Sequence, residues 1–163
     1  MRQSVLRILA ILGFALLVLN AAAEKTTPLK GVTNVQVDPT VIAKPENVKE
    51  EHAANLVQDS LRNAFKSANF NIVDSAPIRA HIVLEEFTSG SGAKRFMVGF
   101  GAGRSTVDGR LVVQDADGKE LANVKIRVRG NLAFSPYQGN NTQRRQAVSS
   151  FDQRLLEEIE KMK

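Results

Sequence analysis

The sequence predicts an α+β fold. It should hold a single, mainly antiparallel sheet of about five strands and two amphipathic helices, in the order β-α-β-β-β-β-α. Three observations predict it. Apolar residues recur at spacings of three and four between Ala53 and Ala68 and again between Val148 and Met162, the period of a half-buried helix. Apolar and polar residues alternate on both sides of Asp115-Ala116-Asp117-Gly118, the pattern of a hairpin with one buried face. Short β-rich runs elsewhere supply the remaining strands.

In chain order, Val32 to Asp38 reads as the first strand, with Val35 and Val37 on one face. Pro39 ends it, because proline has no N–H for a ladder, and Thr40 to Glu46 is expected to be loop. Asn47 followed by Glu50 has the form of a capping box, so the first helix is expected from there to Asn69. Its stripe is Ala53, Ala54, Val57, Leu61, Ala64, Phe65 and Ala68. Phe70 to Asp74 and Ala80 to Thr88 read as strands, separated by a turn at Pro77. Val32 to Val73 can form a parallel β-α-β unit, whereas the strands from Ala80 onward are expected to be antiparallel. Val107, Leu111 and Val113 face inward on the next strand, and Val124, Ile126 and Val128 on its partner. Phe134 and Tyr137 lie in the following loop. The last helix is expected over about 142–161, with Val148, Phe151, Leu155, Ile159 and Met162 buried and Glu157 paired with Lys161.

The amino terminus has the form of a secretory signal. Arg2 and Arg7 precede an apolar run, Ile8 to Leu19, and Ala21-Ala22-Ala23 supplies small residues for cleavage. The run is shorter than the roughly 20 residues that span a bilayer. The organisation expected is a cleaved signal over 1–23, a flexible lead-in over 24–30 and a single α+β domain over 31–163. No transmembrane segment is expected after cleavage, and the location is the periplasm of a Gram-negative cell. With no cysteine in the chain, a disulfide framework, a thiolate metal site, a cysteine nucleophile and a lipid-modified amino terminus are excluded. Loss of Arg2 and Arg7 lowers the formal charge from +5 to +3, too little to suggest a nucleic-acid partner.

One stretch stands out, Lys94-Arg95-Phe96-Met97-Val98-Gly99-Phe100-Gly101-Ala102-Gly103-Arg104-Ser105. It does not fit a dinucleotide fingerprint. The residue three after Gly101 is Arg104, and a strand follows rather than a helix. In an extended chain Gly99, Gly101 and Gly103 would make a bare strip, opposite Phe96, Val98, Phe100 and Ala102. That allows two readings, a strand against which another backbone or ring packs closely, or an apolar flap that orders on a partner. The candidate interaction residues are Arg95, Phe96, Gly99, Phe100, Gly101, Gly103 and Arg104.

Other clusters carry less. The acidic turn at Asp115 is not a calcium loop, because the first and last ligand positions would fall on Val113 and Val124. His52 and His81 lie on different elements, with no metal-ligand spacing. Glu85 and Glu86 are strand neighbours expected on opposite faces, which would keep them from acting as a pair. Lys125, Arg127 and Arg129 line one face of the last strand, either as a solvated face or as a docking patch for acidic lipid, glycan or protein.

From Phe87 to Leu121 the chain resembles the bacterial domain of unknown function 4410 family. The resemblance is carried by Phe87, Gly90-Ser91-Gly92, Arg95, Gly99-Phe100-Gly101-Ala102-Gly103, Ser105, Asp115, Gly118-Lys119 and Leu121. It implies a small exported envelope protein with no established activity and supplies no catalytic residues. Many members look like lipoproteins, whereas this chain lacks the cysteine.

The functional expectation is a non-enzymatic binding domain with no cofactor and no metal, whose partner is another envelope protein. The alternative is a small-ligand or glycan binder using the sheet face and the Phe134–Tyr137 loop.

Overall fold

The computed structural model describes residues 27–89, 104–130 and 140–163. Its elements are β1 (Asn34–Val37), β2 (Val41–Ile42), α1 (Ala53–Ser67), β3 (Asn71–Ile72), β4 (Arg79–Thr88), β5 (Thr106–Gln114), β6 (Glu120–Arg129) and α2 (Asn140–Lys161). The fold is α+β with two helices, but the sheet has six strands and is mixed. Its order is β3-β1-β4-β5-β6, with β2 beside β4. β1 pairs in parallel with both β3 and β4, and β2 with β4. β4, β5 and β6 form an antiparallel meander. The parallel half arises because β1 lies between the two strands that follow α1.

The sixth strand, β2, falls where the sequence suggested only loop. Pro39 interrupts the edge beside β4, and the chain then rejoins it. The Asp38 N–H donates to the Ala80 carbonyl at 2.9 Å, and the Ala43 N–H donates to Leu84 at 2.9 Å.

Helix α1 starts later than the Asn47–Glu50 pattern suggested. Pro45–Asn47 is a single 3-10 turn. Val48 then bridges to Phe87 of β4, which holds the chain extended there. Instead of capping α1, Glu50 accepts a hydrogen bond from Arg144 of α2 at 3.1 Å. The residue at the N-cap is His52, with no side-chain capping bond. The far end matches the expectation at Asn69, whose φ is 64°. Its N–H donates to the Lys66 carbonyl, and the Phe70 N–H donates to Phe65, both at 3.0 Å. Phe65 and Phe70 meet edge to face at 5.5 Å, so a Schellman motif with its apolar clasp ends the helix.

Both helices cover one face of the sheet. Ala53, Val57, Leu61, Ala64 and Phe65 of α1, followed by Ala68, are buried with Ala147, Phe151, Leu155 and Ile159 of α2, followed by Met162. They meet Val35 and Val37 of β1, Ala80, Ile82 and Leu84 of β4, and Val107, Leu111 and Val113 of β5. The helices run parallel. Glu50, just before α1, holds Arg144 near the start of α2. Lys163, just past α2, lies 5.3 Å from the centre of the Phe70 ring, just past α1. Lys161 pairs with Glu158 at 2.6 Å rather than with Glu157, which pairs with Arg154 at 2.7 Å. In the stretch read as a lead-in, Leu29 is buried and its N–H donates to the Met162 carbonyl at 2.9 Å.

Candidate interaction surface

The glycine stretch joins the described part at one end of the meander. Thr88 of β4 lies opposite Thr106 of β5. Beyond that pair, the Ser105 hydroxyl donates to the Ser89 carbonyl at 2.7 Å, with Ser105 buried. The Gly130 N–H donates to the Ser105 carbonyl at 2.8 Å. A Cβ on Gly130 would stand 3.3 Å from the Gln143 carbonyl of α2, so the end of β6 lies close against the first turns of that helix. The chain therefore leaves at Ser89 and returns at Arg104 through a closed base. Among the candidate residues, Arg104 is described and is half-buried. Arg95, Phe96, Gly99, Phe100, Gly101 and Gly103 lie outside the described residues, as do the signal over 1–23 and Phe134 and Tyr137.

The face of the sheet opposite the helices, open among the described residues, corrects one expectation. The pairing of β4 with β5 shifts register between Leu84 and Glu86. This β-bulge breaks the alternation, so Glu85 and Glu86 do not point to opposite faces. Both reach cations of the open face. Glu85 pairs with Arg110 at 3.0 Å and with Lys125 at 3.3 Å, and Glu86 pairs with Arg127 at 3.6 Å. Asp108, only 5% exposed, lies 3.6 Å from Lys125 and 3.3 Å from Arg127. Lys125 and Arg127 thus pair with carboxylates of β4 and β5, on the side away from the outer edge of β6. The hydrogen bond from Lys125, with the charges of Lys125 and Arg110 nearby, holds the Glu85 carboxyl below its usual range against the opposing effect of burial. Neither the bulge nor the cross-strand pairing has a signal in the sequence, so this network could not be read there.

The hairpin tip has a structural role. The Asp115 carboxylate accepts the N–H groups of Asp117 at 3.0 Å and Lys119 at 2.9 Å. Gly118 takes a φ of 79° there, which a left-handed turn position needs. His52 is exposed and His81 half-buried. Burial lowers the His81 pKa, while nearby Asp38 opposes the shift. Among the described residues no group of three or more His, Asp or Glu side chains is gathered as a metal would require. No helix among them is long and apolar enough to cross a membrane.

The fold and its closed sheet end define a small α+β domain, a mixed sheet with two parallel helices on one face. The family model described as "Domain of unknown function (DUF4410)" matches residues 28–133, and the chain belongs to this family. No curated protein matches the sequence. Among solved structures, the chain is similar to the PelC dodecamer from Paraburkholderia phytofirmans, at 13% identity and a TM-score of 0.53, over 82% of this chain and 89% of that one. It is also similar to a protein from Xanthomonas campestris of the family DUF330, at 11% identity and a TM-score of 0.55, over 78% and 81%. At these identities the likeness is one of fold.

Proposed function

We propose that the chain is an exported, non-enzymatic interaction domain of the cell envelope, which docks to another envelope component through the glycine-rich stretch 94–105. The observation that carries this reading is the closed base of that stretch. The bond between Ser105 and Ser89 and the Thr88–Thr106 pair fix both ends of the segment at one place on the sheet. A segment rich in Phe and Gly, held at a defined point of a packed domain, is suited to recognition by shape. Export rests on the signal over 1–23. The fold likeness to a protein solved as a dodecamer makes a second copy of this chain the first partner to examine.

Gly101→Val tests the reading, because a branched side chain would fill the bare strip. In the source cells, the variant is expected to be secreted normally and to lose the partner that co-purifies with the parent. Retained co-purification would overturn the proposal. Light scattering on the secreted parent and variant shows whether that partner is a second copy.

A further inference from the structure

We propose that the outer edge of β6 is a docking site for an extended, acidic segment of a partner protein, which adds to the sheet as a further strand. β6 is a different part of the chain from the glycine stretch. β6 is ten residues long and ends the strand order. Among the described residues nothing pairs with its outer side. The phase of its ladder follows from the bond between the Gly130 N–H and the Ser105 carbonyl. In an antiparallel pair such bonds recur at every second residue, and Thr106 lies opposite Arg129. The backbone groups of Asn123, Lys125, Arg127 and Arg129 therefore point away from β5. Four N–H and four C=O groups stand along a straight edge, the feature that strand addition uses.

Charge selects the occupant. The open face is acidic on β4, at Glu85 and Glu86, and mixed on β5, at Asp108 and Arg110. On β6 it is basic from Lys125 through Arg127 to Arg129, with Glu120, which accepts a hydrogen bond from Asn123 at 3.0 Å, at the start of the strand. The carboxylates that pair with Lys125 and Arg127 all lie on the β4 and β5 side. Arg129 is exposed, with no ion pair among the described residues. A strand laid outside β6 with acids at alternate positions would face these three cations across a single pair spacing. A second copy fits badly. Antiparallel pairing of β6 with itself, with the helices on one side, sets lysine and arginine opposite lysine and arginine, and such pairs are destabilising.

The probe is a blocked ten-residue peptide alternating glutamate and threonine, labelled for fluorescence anisotropy and titrated with the full-length mature protein. A lysine–threonine peptide is the control. Asn123→Pro removes one outward N–H and leaves every cation and every bond to β5 in place. It is expected to weaken binding about fivefold or more, while Asn123→Ala binds like the parent. Arg129→Glu, which disturbs no described ion pair, is expected to weaken binding by about the same factor, and it serves if the proline variant does not fold. No binding of the acidic peptide overturns the proposal, as does equal binding of the lysine peptide or binding indifferent to both substitutions. A parent dimer that Asn123→Pro dissolves would give the edge to a second copy and overturn the acidic partner.

Discussion

At the scale of single residues, Asp152 shows how burial changes a side chain's chemistry. It sits half-buried on α2 with one carboxylate oxygen out of contact with water and without a hydrogen-bond partner. Burial raises its pKa from the ordinary 3.8, and a hydrogen bond with Ser60 of α1 only partly opposes this. A carboxyl with a raised folded pKa favours the folded state while it is protonated. That contribution is complete below 3.8 and is lost as pH rises through the folded value. Asp152→Asn removes the charge at every pH. Its melting temperature should exceed the parent's at pH 7, and the gap should close as pH falls toward 4. A gap independent of pH, followed by circular dichroism, would count against this account. Nothing in the sequence marks Asp152, because its burial depends on which face of α2 meets α1.

At the scale of elements, both ends of α1 are instructive. Asn69 was legible as a stop because asparagine tolerates the left-handed conformation that ends helices. Asn69→Gly should leave stability unchanged or slightly raised. Asn69→Ala should lower it by about 1 kcal/mol in urea titration. The start of the helix was misread for a physical reason. Asn47 and Glu50 have capping chemistry, but Val48 is already committed to Phe87 and Glu50 to Arg144. These partners lie 39 and 94 residues away in the chain. β2 was missed for the same kind of reason. Two residues carry no period, and only the free flank of β4 makes them a strand.

At the scale of the whole molecule, the first described turn and the end of α2 close the core together. Leu29 is 1% exposed and its N–H is bonded to the Met162 carbonyl, which ties the first described turn to the end of α2. Leu29→Ala should cost about 2–4 kcal/mol, measured as a lower urea midpoint with an unchanged slope. An effect below about 0.5 kcal/mol would show that this turn is not part of the cooperative unit. Gly109 marks another global constraint. A Cβ there would stand 3.1 Å from both the Ile82 side chain and the Val83 carbonyl, next to the bulge.

The sequence by itself determined the helix stripes, the hairpin with its Asp117-Gly118 tip, the antiparallel meander and the family. These rest on periodicity, turn chemistry and short motifs, which act between near neighbours. Only the tertiary structure decided that β1 lies between β3 and β4, that the helices run parallel, and that the Glu85–Glu86 bulge gathers both carboxylates against Arg110, Lys125 and Arg127. Those features depend on which distant strands share an edge. Pairing between strands is set by the packing of the whole core, and no local pattern records it.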